Sequence, residues 1–77
     1  MPKFPVVKGR QLMAVLARMG FTEYHRVGSH AQFKHPDGRR VTIAIHAGRD
    51  FRKGTLRGIL SDINITVEEF ISLLKNK

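Results

Sequence analysis

Val27-Gly28-Ser29-His30-Ala31-Gln32-Phe33 sets a histidine directly after a flexible Gly-Ser step, at the head of a run that alternates polar and apolar residues. Histidine is the one side chain whose ordinary pKa lies near neutrality, so His30 on an open, basic surface suits general acid/base work on a phosphodiester. Gly28 takes backbone angles closed to other residues and lets the chain pass close to a ligand. If the run that follows is a strand, Ala31 and Phe33 share one face, and His30, Gln32 and Lys34 share the other. A Gly-Ser-His triplet is common, however, and alone it describes a solvated histidine at a strand end equally well. The rest of the chain has to carry the case.

The 77 residues hold 14 Lys plus Arg against 6 Asp plus Glu, a formal charge of +8. Between Arg26 and Arg57 stand Arg26, Lys34, Arg39, Arg40, Arg49, Arg52, Lys53 and Arg57, opposed only by Asp37 and Asp50. A polyanion is the natural partner of such a surplus, and arginine makes bidentate contacts to phosphate. Nucleic acid ranks above membrane, because the chain has no basic amphipathic helix with bulky aromatics. With no cysteine there is neither a disulfide framework nor a thiolate site. Four histidines without cysteines or paired carboxylates at ligand spacing argue against zinc, so neither a structural metal nor a small-molecule cofactor is expected. No apolar stretch reaches the length of a membrane span, and Met1-Pro2-Lys3-Phe4-Pro5 lacks the apolar core of a signal peptide. A cytoplasmic protein is expected, and the length predicts one domain over residues 1–77 with a small core.

The elements that must position His30 follow from periodicity. From Lys8 to Met19, Leu12, Val15, Leu16 and Met19 have the i, i+3, i+4, i+7 spacing of one helix face, with Gly9 as N-cap and Gly20 as the left-handed C-terminal residue on which Phe21 folds back. Phe21 to Val27 and His30 to His35 read as two strands joined by Gly28-Ser29 into a hairpin, and Pro36-Asp37-Gly38 is a turn. Strict alternation in Arg40 to His46 turns Val41, Ile43 and Ile45 inward and Arg40, Thr42, Ala44 and His46 outward. After a polar, basic connection from Ala47 to Lys53, Leu56, Ile59, Leu60 and Ile63 mark a second helix starting near Gly54-Thr55. Arg49, Arg52 and Lys53 stand just before that start, where unpaired backbone N–H groups and the helix dipole already favour an anion. Thr66 and Glu69 form a capping box for a third helix, with Ile65 stapled to Phe70, and Lys75 to Lys77 should fray. The core is predicted to comprise Leu12, Leu16, Phe33, Val41, Ile43, Ile45, Leu56, Ile59, Leu60 and Phe70.

Helix, three strands and helix, with the helices on one face of a three-stranded antiparallel sheet, make an α+β architecture of the double-stranded-RNA-binding-like α-β-β-β-α kind. Arg10-Gln11-Leu12, Met19-Gly20-Phe21, Gly28-Ser29-His30, His35-Pro36-Asp37-Gly38-Arg39-Arg40-Val41 and Gly54-Thr55-Leu56-Arg57-Gly58-Ile59-Leu60 stand in that order and spacing. Together they resemble the HicA toxin family, the mRNA-interferase half of HicA/HicB toxin-antitoxin modules, over nearly the whole chain to Leu74. The resemblance implies a small metal-independent ribonuclease that cleaves mRNA and is held inactive by a HicB-type antitoxin. It also implies that His30 is the catalytic histidine, with Gly28 and Ser29 matching the same motif. The family's Lys-Pro-Gly-Thr-Leu helix start is here Arg52-Lys53-Gly54-Thr55-Leu56, without the proline.

Metal-free RNA cleavage needs a base for the 2′-OH, an acid for the leaving 5′-oxygen, and positive charge for the phosphorane. His30 supplies one proton role, and Lys34, Arg39 and Arg40 supply charge; the second proton-transfer group is not identifiable, and His46 is only loosely a candidate. The expected RNA contacts are Gly28, Ser29, Lys34, Arg39, Arg40, Arg49, Arg52 and Lys53. Two other classes remain open, a non-catalytic RNA- or DNA-binding module and a structural component of a larger ribonucleoprotein, and neither needs His30.

Overall fold

A computed structural model describes residues 4–46 and 48–75. The apolar stripe of the first helix, α1 (Gly9–Met19), buries Leu12, Val15 and Leu16 completely. Its N-cap is Lys8, whose backbone N–H donates to Gln11 Oε1 at 2.9 Å. Gly9, expected to be the cap, is instead the first helical residue and is buried. The cause is packing, since a Cβ built on Gly9 would lie 2.8 Å from Ile45 Cγ2. The far end follows the sequence expectation: Gly20 has φ 100°, and the N–H groups of Gly20 and Phe21 donate to Ala17 and Leu16 in the two-bond pattern of a Schellman cap.

Three strands, β1 (Thr22–Val27), β2 (His30–Lys34) and β3 (Arg40–Ala44), form one antiparallel sheet with β2 in the centre. Phe21 and His35, expected to be strand residues, lie just outside β1 and β2. Gly28 alone has a positive φ, 58°, in the Gly28-Ser29 turn, the pattern of a type II′ hairpin whose twist suits the flanking strands. At the opposite end, the Gly38 N–H donates to the His35 carbonyl at 2.9 Å across Pro36-Asp37. β3 stops at Ala44, two residues short of the expected His46. One further bond, from the Ile45 N–H to the Ser29 carbonyl at 2.7 Å, carries the chain past the turn. Ile45 then folds over Gly9 and is only half-buried, whereas the other nine predicted core residues are buried.

Two more helices, α2 (Lys53–Asp62) and α3 (Val67–Lys75), complete the layer on the inward face. α2 starts slightly before the expected Gly54-Thr55, with Arg52 at its N-cap. α3 has the predicted capping box, the Thr66 N–H donating to Glu69 Oε1 at 2.9 Å and the Glu69 N–H to Thr66 Oγ1 at 3.0 Å. Lys75 closes α3, so the expected fraying from Lys75 to Lys77 falls otherwise on residues 76–77, outside those described. Ala31, Phe33, Val41 and Ile43 from the sheet meet Leu12, Val15, Leu16, Leu56, Ile59, Leu60, Ile63 and Phe70 from the helices in one core. Each such Val, Leu, Ile or Phe side chain stabilises the fold by about 1.5–3 kcal/mol relative to exposure. Val7, which no periodicity marks, is also fully buried. It is fixed there by a backbone bond from Phe51 N–H to its carbonyl at 2.9 Å, and Lys8 adds an ion pair to Asp50 at 3.1 Å.

Two glycines in helices should respond oppositely to alanine. Gly9→Ala forces Ile45 to move and should destabilise the protein by about 1 kcal/mol or more. Gly58→Ala meets nothing within 4 Å and should stabilise α2 by about 0.5–1 kcal/mol. Urea unfolding of both variants measures the two signs.

Candidate functional site

The face of the sheet turned away from the helices follows from the pairing register. His30 stands between Val27 and Ala44, Gln32 between His25 and Thr42, and Lys34 between Thr22 and Arg40. Residues directly opposed across strands share a face, so all nine lie on the side opposite Ala31 and Phe33. Gln32 and Ala44 are half-buried and the other seven exposed, so this face is bare. His25 and His30 both lie on it, and Lys34 and Arg40 supply its positive charge.

At the His30 end the face runs into a cleft of about 370 Å³ lined by Ala44, His46, Arg49, Asp50, Phe51, Arg52 and Thr55. Ala44 is the residue opposite His30, so His30 and the exposed His46 flank the same position. The cleft also reaches the start of α2, where Arg52 as N-cap has no side-chain acceptor to offer the first backbone N–H groups. Two arginines and a helix N-terminus around one concave surface have the charge an anion would need, and Asp50, the one acid in the lining, is paired with Lys8. Of the three basic residues expected here, Arg49 and Arg52 line the cleft. Lys53 turns away, its Nζ 5.5 Å from the centre of the Phe4 ring, alongside Arg57 at 5.2 Å.

Other expected site residues have structural partners. Arg39 donates from its backbone N–H and its Nε to Asp37 at 3.0 and 2.8 Å, from Nη1 to the Ile63 carbonyl at the end of α2, and lies 5.2 Å from the Phe21 ring centre. It clamps the β2–β3 turn to α2 on the core side of the sheet. His35 is half-buried, with Nε2 donating to the Met19 carbonyl at 2.9 Å and its ring edge-on to Phe21 at 5.0 Å. Its Nδ1 is 3.1 Å from the Asp37 N–H and 2.9 Å from Asp37 Oδ1, so a neutral ring accepts from the first and a protonated ring donates to the second. This is the strand-end role expected of it. Ser29 is half-buried and lends its carbonyl to Ile45, and Gly28 has open space where a Cβ would stand.

Among the described residues, Asp50, Glu23 and Asp37 pair with Lys8, Arg26, Arg39 and His35, and the cations of the bare face and cleft, Lys34, Arg40, Arg49 and Arg52, form no ion pair. Arg26 and Glu23 face inward from β1 in a two-bond pair of 2.7 and 2.8 Å, and Arg26 Nη2 also donates to Met13 Sδ of α1 at 3.9 Å. The Arg26 bonds hold the Glu23 carboxyl below its ordinary pKa.

A family model described as "HicA toxin of bacterial toxin-antitoxin" matches residues 9–65. The match takes in α1, the whole sheet, the cleft and α2. No curated protein matches the chain.

The Asp37 carboxyl is held below its ordinary pKa, chiefly by the backbone N–H of Arg39 and then by the Arg39 side chain. A depressed carboxylate pKa stabilises the fold above the unfolded-state value, and that contribution is lost as pH falls through the folded-state value. Asp37→Asn should therefore lower the urea midpoint at neutral pH. The gap from the parent should close as acid titrates Asp37, and a gap that persists in acid would show that the charge is not the cause.

Proposed function

The chain belongs to the HicA toxin family of bacterial toxin-antitoxin systems, and from that premise we propose that it is an endoribonuclease that cleaves mRNA on the bare face of its sheet. The observation that carries this reading is an exposed histidine at the head of the central strand, opposite the residue that begins a basic cleft. His30 acts as general acid/base, taking the proton from a ribose 2′-OH or giving one to the leaving 5′-oxygen. The 2′-oxygen attacks the adjacent phosphorus, the bond to the 5′-oxygen breaks, and no metal is required for either proton transfer. His46, on the other side of Ala44, is the candidate for the second proton role, the one left open by the sequence. Arg49 and Arg52, with the N–H groups at the start of α2, stabilise the charge that builds on the phosphorane oxygens. Lys34 and Arg40 hold the strand farther along the sheet.

A HicB-type antitoxin is the proposed inhibitor, and the bare basic face is the surface it would have to cover. mRNA as substrate implies a cytoplasmic site of action. Among the described residues no helix is long and apolar enough to cross a membrane.

His30→Ala separates catalysis from folding. The side chain is exposed, so its loss should change stability by no more than about 0.5 kcal/mol. Cleavage should fall by a factor on the order of 100 to 10,000, with EDTA present in both samples. Growth inhibition should vanish with it, while RNA affinity survives. Near-parental cleavage by the folded variant would remove His30 from the mechanism and leave a binding module as the better description.

Binding should also depend steeply on salt, since each neutralised phosphate on a single strand contributes a slope of roughly 0.7. Replacing Arg49, Arg52 and Lys53 together by glutamine should flatten the slope of log affinity against log salt by about 1.4, the share of Arg49 and Arg52, since Lys53 turns away from the cleft. An unchanged slope would exclude the loop from phosphate contact.

A further inference from the structure

Tyr24 is out of step with the strand that carries it. The β1–β2 register runs from Glu23 opposite Phe33 directly to His25 opposite Gln32, so Tyr24 is the extra residue of a bulge. Without the bulge, alternation from the inward Glu23 would turn His25 inward and Arg26 outward. Alternation already turns Tyr24 outward; with the bulge, Arg26 keeps its inward pairing with Glu23 and His25 joins Tyr24 on the bare face. Re-aiming a side chain is what bulges do, at the cost of a local break in the ladder.

The Tyr24 ring is 42 % exposed. Its neighbours are cations rather than apolar groups: Lys34 Nζ is 5.3 Å and the Arg40 guanidinium 5.8 Å from the ring centre. An exposed aromatic flanked by cations that lack acidic partners is how proteins hold single-stranded nucleic acid, the ring stacking on a base and the cations meeting the phosphates beside it. A protein-docking aromatic would instead be expected within an apolar patch, and among the described residues of β1 only Val27, at the other end of the strand, is a comparably exposed hydrophobic.

We propose that Tyr24 is a stacking platform for one base of a single-stranded RNA, with Lys34 and Arg40 taking the phosphates on either side of that base. The proposal rests on the bare face being an RNA surface and adds a subsite to it. Tyr24 lies beside the Gln32–Phe33 step of β2, two to three residues along the strand from His30 and one strand across. At about 3.3 Å per residue and about 4.8 Å between strands, the backbone separation is roughly 9 Å. The stacked base is therefore close to the phosphate being cleaved, and because stacking accepts any base it positions the strand rather than reading its sequence.

Tyr24 is the only tyrosine and the chain has no tryptophan, so intrinsic fluorescence reports on this ring alone. The probe is a short 2′-O-methyl RNA oligonucleotide, which has no free 2′-OH to attack, and inorganic polyphosphate serves as the control without bases. The oligonucleotide should quench Tyr24 in proportion to occupancy, measured separately by anisotropy, and saturating polyphosphate should not. Tyr24→Phe should bind the oligonucleotide within about twofold of the parent, and Tyr24→Ala should lose affinity on the order of tenfold with an unchanged salt slope. Saturation without quenching, equal quenching by polyphosphate, or undiminished affinity in Tyr24→Ala would each overturn the platform. The first and last of these would leave the RNA surface standing and assign the ring to a protein partner or to no partner. Failure of the oligonucleotide to bind at all would overturn the RNA surface and the platform with it.

Discussion

A side-chain period of two in β2 means that a slip of one residue would drive His30, Gln32 and Lys34 into Leu12 and Leu16 and push Phe33 into water. The whole outward surface therefore depends on how that register is held. Gly28 supplies the one positive φ of the two-residue turn and makes Val27 and His30 the closing pair of the hairpin. The Ser29 carbonyl then accepts the Ile45 N–H, tying the same turn to the end of β3. At the far end, His35 and Arg39 bond the second turn to the C-termini of α1 and α2. The central strand is pinned at both ends, and His30 occupies the pinned end nearest the cleft.

Charge is divided between these two tasks. Three of the six acids fix a cation: Asp50 holds Lys8 and with it the N-terminal segment, Glu23 holds Arg26 on the inward side of β1 beside Met13, and Asp37 holds Arg39 at the second turn. Inward-pointing charge on an edge strand also discourages pairing with another chain, which matters for a strand with all six residues exposed. None of these pairs stands on the bare sheet face, so Lys34 and Arg40 there, and Arg49 and Arg52 at the cleft, keep their charge without an ion-pair partner among the described residues. Surface ion pairs of this kind contribute little stability individually, so their larger effect is on where the field points.

Local rules made most of the frame legible. The helical spacing of Leu12, Val15 and Leu16, the alternation of Val41 and Ile43, the Gly20 cap and the Thr66–Glu69 box each have a mechanism that operates within a few residues. The features that escaped depend on contacts distant in sequence. Val7 is buried because it pairs with Phe51, and Gly9 is glycine because Ile45 lies on it, and neither fact leaves a periodic trace. Arg39 and Arg40 look alike in sequence, yet a carbonyl 24 residues away claims the first and leaves the second on the open face. The grouping of Arg49, Arg52 and Lys53 is visible in the sequence, but the loop geometry that parts Lys53 from the other two is not. Tyr24 escaped because the cations beside its ring come from other strands, and His25 joins it on the open face through a bulge, for which strict alternation has no symbol.

A small domain that leaves one face of its sheet in water normally fills that face with side chains for which exposure costs little. Thr22, His25, His30, Gln32, Lys34, Arg40 and Thr42 meet that description, so the open face as a whole is no sign of a missing layer. Tyr24 and Val27 do not meet it, since each leaves apolar area in water that burial would reward at about 25 cal/mol per Å². Both lie on β1, on either side of His25 along its outward face. Stability does not explain their presence, because a threonine or lysine at either position would keep the strand and reduce the exposed apolar area. What they have in common is position: Val27 is directly opposite His30, and Tyr24 stands where a ligand lying along the sheet toward His30 must pass. The two residues that packing does not account for therefore mark the line along which the bare face is used.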